Sequence, residues 1–205
     1  MNFTIDDVNI LYEDNHVIVA VKPQNMPSVP DESGDADMHT VLKEYIKQKE
    51  NKPGDAFLGV VHRLDRPTGG VMMFAKTSKA AERLTRAVKE REVEKKYLAV
   101  INGRLKSDRG TLVNWLRKNP STNVVSVVTS LTEGAKEARL DYEQLETLGA
   151  ISLVRVVLHT GRGHQIRVQM AAQNCTLFGD VNYGDKLARG SNLALWACEL
   201  RFTHP

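Results

Sequence analysis

Short apolar runs separated by turn-forming segments dominate the hydrophobic pattern of this chain. The β-branched run HVIVAVKP (16–23) stops at a proline and predicts a strand, and VHRLDRPTGGVMMFAKT (61–77) ends in another. Strand composition returns in KKYLAVING (95–103) and in LALWACELRF (193–202). The stretch 138–161 has a central Leu-Gly-Ala and alternating apolar positions in its second half, which predict two strands joined as a hairpin.

Other segments have apolar residues at helical spacing. MHTVLKEYIKQKE (38–50) is ended by NKPGD, and SKAAERLTRAVKEREV (78–93) begins with Ser78 as its predicted N-cap. GHQIRVQMAAQN (163–174) has an apolar face and a stop at Asn174. Hairpins mixed with occasional helices predict an α+β domain, in which a largely antiparallel sheet is flanked by helices and loops.

Length and composition predict one compact domain over residues 1–205. A chain of 205 residues, with 41% hydrophobic and 26% charged residues, can bury enough apolar surface to fold without disulfides or metals. Cys175 and Cys198 stand far apart without a CxxC motif, which argues against a zinc site and against a secreted disulfide framework. The N-terminal segment has neither a signal-peptide pattern nor a membrane span. We therefore expect a cytoplasmic protein with no membrane partner.

The charge balance allows a polyanionic partner but does not require one. A net charge of +3 and a pI near 8.8 indicate only mild non-specific attraction. A local feature is more specific, because Lys79, Arg83 and Arg86 recur at i, i+4 and i+7 along the predicted helix 78–93 and form a cationic stripe. Taken alone, such a stripe is more often a solvated face than a binding surface.

Common catalytic and metal-binding signatures are absent from the sequence. It contains no GxxxxGK[ST], no GxGxxG after a strand, no HExxH and no GxSxG motif. Asp31, Asp35 and Asp37 lack the spacing and the closing glutamate of a calcium loop, so we interpret them as solvated acids. These absences weigh against nucleotide-driven and zinc-dependent chemistry.

Asp65 is the remaining candidate for chemistry, because arginines lie on both sides of it at Arg63 and Arg66. A carboxylate can act as a nucleophile, as a general base or as an ion-pair partner, and the first two roles need it ionised and shielded from water. A neighbouring guanidinium lowers an aspartate pKa by roughly one to three units and orients the carboxylate oxygens. An Arg-Asp pair is nevertheless more often structural than catalytic, so a longer pattern must decide.

The longer pattern resembles the RluA family of RNA pseudouridine synthases in the order and spacing of its motifs, over nearly the whole chain. The motifs are VKPQNMPSVP, VHRLDRPTGGVMMFAKT, KKYLAV, TGRGHQIRVQMA, FGDVNYGD and LALWACELRFTHP. The resemblance implies conversion of specific uridines in structured RNA, ribosomal or transfer, into pseudouridine. It implies neither a cofactor nor a metal, because the product is an isomer of the substrate. We expect one catalytic domain without a separate N-terminal RNA-binding domain, working as a monomer.

The resemblance also assigns roles to individual residues by position. It makes Asp65 the catalytic aspartate, Tyr97 the ring that stacks on the target base, and Arg167 the pocket arginine that pairs with the aspartate. Arg63 would press into the RNA where the target nucleotide is turned out. In this context the cationic stripe gains a role in phosphate contact. The further residues expected to bind substrate are Arg162, His164, Lys79, Arg83 and Arg86.

The sequence leaves alternatives open. Asp65 could attack the uracil ring, attack the sugar or act as a base. Rival functions are an RNA-binding module that has lost activity and a hydrolase with an aspartyl nucleophile, which would need an activated water and usually a metal. Departures from the family pattern bear on target choice more than on the reaction, and they are Thr68-Gly69-Gly70, Arg162-Gly163-His164 and Trp196.

Overall fold

A computed structural model describes residues 3–51, 53–184 and 190–205. Strands and helices are both present, and the α+β class predicted from the sequence is confirmed. The chain divides into two compact units, Met1–Val93 with Leu200–Pro205, and Glu94–Glu199. The strands are β1 (Asn9–Glu13), β2 (Val17–Lys22), β3 (Gly59–Val60), β4 (Gly69–Ala75), β5 (Glu94–Asn102), β6 (Arg109–Lys118), β7 (Val125–Val128), β8 (Lys136–Leu148), β9 (Ile151–Leu158) and β10 (Leu195–Arg201), and the helices are α1 (Met38–Lys49), α2 (Ser78–Lys89) and α3 (Gln165–Ala171).

In the first unit, β2 and β4 form an antiparallel pair that is extended by β1 along β2 and by β3 along β4. Helix α2 packs on this sheet, and its Ala80 and Leu84 are buried with Val17 of β2 and Met73 of β4. Burial of this apolar stripe leaves the polar face of α2 exposed to solvent. The N-cap of α2 is Thr77 rather than the predicted Ser78, since its hydroxyl accepts the Ala80 N–H at 3.1 Å.

The second unit is built on strands in the order β10-β5-β9-β8-β6-β7, and the pairs from β5 to β7 are antiparallel. The predicted hairpin is confirmed as β8 and β9, which meet at Gly149 in the left-handed region with φ +59°. Strands β6 and β7 have no counterpart among the sequence predictions.

Helix α3 is buried on all sides, whereas the sequence suggested one apolar face. The buried side chains of Gln165 and Gln169 are accommodated by hydrogen bonds to neighbouring strands, where an apolar residue would make apolar contacts. The side-chain amide N–H of Gln169 donates to the carbonyl oxygen of Leu112 in β6 at 3.2 Å and to that of Ala138 in β8 at 3.3 Å. Gln165 donates to the carbonyl oxygen of Arg139 at 3.1 Å. These bonds explain how a helix with polar residues is fully enclosed.

None of the helices in the described ranges combines the length and apolar character needed to cross a membrane.

Candidate active site

Asp65 lies half-buried in the loop between β3 and β4, and the backbone on both sides of it is fixed. The Thr68 N–H donates to the Asp65 carbonyl oxygen at 2.9 Å and closes a tight turn. On the other side, the Ser28 hydroxyl donates to the Leu64 carbonyl oxygen at 2.8 Å and accepts the Leu64 N–H at 3.2 Å. A carboxylate on a clamped loop is held in one position, as catalysis requires.

The buried side chain of Lys22 also holds the Asp65 loop in place. The Lys22 ammonium is fully buried and donates to the carbonyl oxygens of Met26 at 2.6 Å, Pro23 at 3.0 Å and Arg66 at 3.0 Å. Burial lowers the pKa of Lys22 to about 7, and the negative charge of Asp65 acts against this fall. The segment VKPQNMPSVP (21–30) thus supports the Asp65 loop, whereas the sequence indicated only its resemblance to a family motif.

The two arginines beside Asp65 differ in their surroundings. Arg66 donates through Nε to the Asn25 carbonyl oxygen at 3.1 Å and forms ion pairs with Asp31, at 3.6 Å, and with Asp35. It therefore fastens the loop after β2. Arg63 is exposed, and its side chain has no hydrogen bond or ion pair within the described ranges. This leaves the Arg63 guanidinium accessible to a ligand.

Of the loop carboxylates interpreted as solvated acids, Asp31 is exposed and Asp35 is half-buried, whereas Asp37 is buried, so the interpretation is wrong for Asp37. Asp31 and Asp35 pair with Arg66, as described above. Asp37 is buried and is the N-cap of α1, accepting the Thr40 N–H at 3.0 Å. These acids organise the loop and the helix start.

Arg167 is buried in α3, and its guanidinium pairs with the carboxylate of Asp180, a residue to which the sequence patterns assigned no role. Its Nε and Nη2 both donate to Asp180, at 2.7 Å each, in the bidentate geometry that favours an arginine-carboxylate pair. Burial alone would raise the pKa of Asp180, but the Arg167 hydrogen bonds outweigh it and hold that pKa below its usual range. The Tyr183 ring lies 5.1 Å from the Arg167 guanidinium carbon.

Asp180 belongs to the FGDVNYGD motif, and its position in that motif was the signal that could have identified it. The pairing fixes the plane of the Arg167 guanidinium. The last residue of the motif, Asp185, lies outside the described residues.

The other members of the TGRGHQIR segment are fixed by the same unit. His164 has left-handed backbone geometry, with φ +52°, and its Nδ1 lies 2.7 Å from the Tyr183 hydroxyl. That hydroxyl accepts the Val125 N–H at 2.9 Å, which links the helix start to β7. Arg162 donates through Nε to the Glu137 carbonyl oxygen at 2.8 Å. The side chains of Arg162 and His164 are therefore positioned by residues of the second unit.

Tyr97 is almost completely buried on β5, opposite Val156 of β9. The cationic stripe on α2 is exposed, and Lys79, Arg83 and Arg86 form no ion pair with any residue in the described part of the chain. Arg63 and Asp65 belong to the first unit, and Tyr97, Arg162, His164 and Arg167 belong to the second. Across the described residues, no group of three or more His, Cys, Asp or Glu side chains is arranged to hold a metal ion.

Comparison with solved structures defines the class of protein as a pseudouridine synthase domain. Human RNA pseudouridylate synthase domain containing 4 superposes with a TM-score of 0.80 at 24% identity, over 95% of this chain and 84% of that one. Human RNA pseudouridylate synthase domain containing 1 gives 0.79 at 25% identity, over 100% of this chain and 82% of the other. At 24% identity, the similarity to the first of these structures shows a shared fold only.

Sequence comparison then gives the family. The RNA pseudouridylate synthase profile matches residues 16–172. Ribosomal large subunit pseudouridine synthase D of Nitrosomonas europaea is 33% identical over 208 residues, which are 97% of this chain and 58% of the relative. An uncharacterized RNA pseudouridine synthase of Aquifex aeolicus is 35% identical over 212 residues, 97% of this chain and 66% of the relative. The chain belongs to the RluA family of RNA pseudouridine synthases, and it spans 58 to 66% of the length of these two relatives.

Proposed function

We propose that this chain isomerises specific uridines of large-subunit ribosomal RNA to pseudouridine, in the cytoplasm. The family profile supports the reaction, because its span of 16–172 includes Asp65, Tyr97 and Arg167. It also includes parts of both compact units, which supports one catalytic domain made from the two. Relatives named for the large ribosomal subunit favour ribosomal over transfer RNA as the substrate.

The reaction begins with extrusion of the uridine from its stack, which costs a few kcal/mol, roughly. The accessible guanidinium of Arg63 is suited to fill the space that the base leaves. A planar phenol such as Tyr97 offers a stacking surface for the pyrimidine, worth about 1–3 kcal/mol. Together these interactions offset the cost of extrusion.

Asp65 is the proposed catalytic group. The glycosidic bond is cut, the uracil turns, and it is rejoined to the ribose through carbon. Asp65 takes part by attack on the ring, by attack on the sugar or as a base, and every route needs a carboxylate held still. The clamps on Leu64, Thr68 and Arg66 supply that rigidity. Arg167, oriented by Asp180, is the proposed pocket arginine.

Replacement of Asp65 by Asn tests the proposal, since it keeps the shape of the side chain and removes its charge. We expect pseudouridine formation in an unmodified transcript of large-subunit ribosomal RNA to fall at least about a thousandfold, while RNA binding is retained. Pseudouridine mapping and filter binding are the measurements. Asp55, an exposed acid 3.5 Å from Lys43, provides the control, and Asp55→Asn should be fully active.

Unchanged product from the Asp65→Asn variant would refute the catalytic assignment. Tight RNA binding without any product from the wild-type chain would instead support the RNA-binding alternative. Mapping of pseudouridine in total RNA from cells with and without the protein then identifies the uridine.

A further inference from the structure

Lys95 is a half-buried cation that is paired with none of the residues the structure describes. It lies on β5, opposite Leu158 of β9. Within the described ranges its ammonium has no hydrogen bond and no ion pair. Burial lowers the pKa of Lys95. A partly desolvated ammonium is costly unless an anion pairs with it, so Lys95 is suited to bind an anion from outside the chain.

The adjacent lysine shows what an ordinary structural cation on this strand looks like. Lys96 points to the opposite face of the sheet and pairs with Glu94 at 3.0 Å and with Glu199 at 2.9 Å. Both of its partners are exposed or half-buried carboxylates on the strand surface. The two lysines therefore differ in direction and in pairing.

Glycine at position 161 leaves the Lys95 ammonium accessible. A Cβ built on Gly161 would lie 3.9 Å from the Lys95 Nζ, and no other described atom beyond its chain neighbours would come within 4 Å. Gly161 is exposed, and Gly163, two residues on, is exposed as well, with nothing described within 4 Å of its own Cβ position. A ligand can thus approach the ammonium over a stretch of backbone with few side chains.

The position of Lys95 indicates which anion it binds. Lys95 and Tyr97 are two residues apart on one strand, so their side chains point to the same face, about 6.6–6.8 Å apart along the strand. If Tyr97 stacks on the target base, the ammonium lies one nucleotide or less from it. RNA carries a phosphodiester at each nucleotide, and lysine is a compact point charge suited to phosphate. We infer that Lys95 binds an RNA phosphate adjacent to the target uridine, an inference that rests on the proposed function.

Replacement of Lys95 by Gln tests the contact through the salt dependence of binding. Loss of one phosphate contact should reduce the slope of log Kd against log salt by about 0.7 to 0.9, and raise Kd at low salt about tenfold. Lys95→Arg should restore most of the binding, and Lys96→Gln should leave the slope as in the parent chain. The probe is an unmodified transcript of large-subunit ribosomal RNA, bound by variants made in the Asp65→Asn background. In the Asp65→Asn background only binding is measured, so this test of Lys95 does not depend on whether the proposed reaction is correct.

Glutamate at position 161 gives a second test that leaves Lys95 in place. Gly161→Glu introduces a carboxylate next to the ammonium, which should compete with the phosphate and weaken binding. Gly163→Glu adds the same charge two residues away and controls for general repulsion of RNA. Gly161→Ala should bind normally, because a contact of 3.9 Å is an ordinary one and φ at this position is not positive.

An unchanged salt slope for Lys95→Gln would overturn the inference about Lys95 and leave the proposed function intact. Equal weakening by Gly161→Glu and Gly163→Glu would count against it in the same way. Absence of pseudouridine from the active chain would instead remove the proposed function, whatever the slopes are.

Discussion

At the scale of single residues, the main result is that the charged groups around the proposed site have separate tasks. Of the arginines near Asp65 in sequence, Arg66 holds the loop after β2, whereas Arg63 is accessible. In the second unit Arg167 is paired with Asp180. Sequence spacing identifies which residues are charged, but the partner of each charge depends on contacts made far along the chain. That is why Lys22, which donates to the distant Arg66 carbonyl oxygen, was not assigned from the pattern, whereas Asp180 could have been identified from its place in the FGDVNYGD motif.

Lys22 should make stability depend on pH in a defined window. Its pKa falls from 10.5 to about 7 in the folded chain, because burial disfavours the ammonium. The unfolded chain therefore binds more protons than the folded chain between pH 7 and about 10, and the free energy of unfolding should rise with pH across this range, by a few kcal/mol, roughly. Urea unfolding of wild type and Lys22→Met at pH 6.5 to 9.5 measures the effect.

The Lys22→Met variant should lose this rise with pH while keeping the contributions of all other titrating groups. Below pH 7 the folded chain carries the full cost of the buried charge, so the two profiles should differ in slope mainly above that value. Parallel profiles over the whole range would show that the Lys22 ammonium stays charged in the folded chain.

At the scale of elements, the pattern of apolar positions predicted most of the fold. Helices α1, α2 and α3 and strands β2, β4, β9 and β10 lie within the predicted segments, because each has a local periodicity. Strands β5 and β8 match predicted segments but begin one and two residues earlier, at Glu94 and Lys136. Strand β6 was missed, since Gly110 and Asn114, residue types that are depleted in strands, interrupt its run of strand-forming residues. It is stabilised by β8 instead, where Arg109 lies opposite Glu143 and pairs with it at 2.5 Å. Such cross-strand pairing joins residues far apart in sequence and leaves no local signal.

Helix α2 should act as a phosphate-binding element. Its apolar stripe is buried, and Lys79, Arg83 and Arg86 remain exposed without ion pairs in the described ranges, so they can contact RNA without breaking internal bonds. We expect Arg83→Gln to reduce the slope of log Kd against log salt by about 0.7 to 0.9, with the rate at saturating RNA unchanged. Filter binding over a salt series and single-turnover kinetics measure the two quantities. Lys106→Gln, an exposed lysine of the other unit, is the matched control, and an equal reduction there would mean that α2 contributes only general attraction.

At the scale of the whole molecule, the proposed reaction uses residues from both compact units. Asp65 belongs to the first, and Tyr97, Arg167 and Lys95 belong to the second. The family profile extends over parts of both, whereas the net charge of +3 is too small to direct RNA to either. Local groups, and not the overall charge, must therefore position the substrate for the chemical step.

Functional coupling between Asp65 and Arg167 tests whether a residue of each unit acts in the same chemical step. Asp65→Glu moves the carboxylate, and Arg167→Lys keeps a positive charge but loses the bidentate bond to Asp180. Each change should slow pseudouridine formation under single-turnover conditions. If both residues act in the same chemical step, the double variant should be slowed clearly less than the product of the two single effects, because residues that work as a unit are not additive.

The reference for this experiment is the combination of Asp65→Glu with Arg83→Gln. Arg83 is proposed to act only in binding, so at saturating RNA this combination should be as slow as Asp65→Glu alone. A rate for the Asp65 and Arg167 double variant equal to the product of the single effects would mean that the two residues serve independent steps. The buried pair of Arg167 and Asp180 would then be assigned to the stability of the second unit, where both side chains are almost completely enclosed.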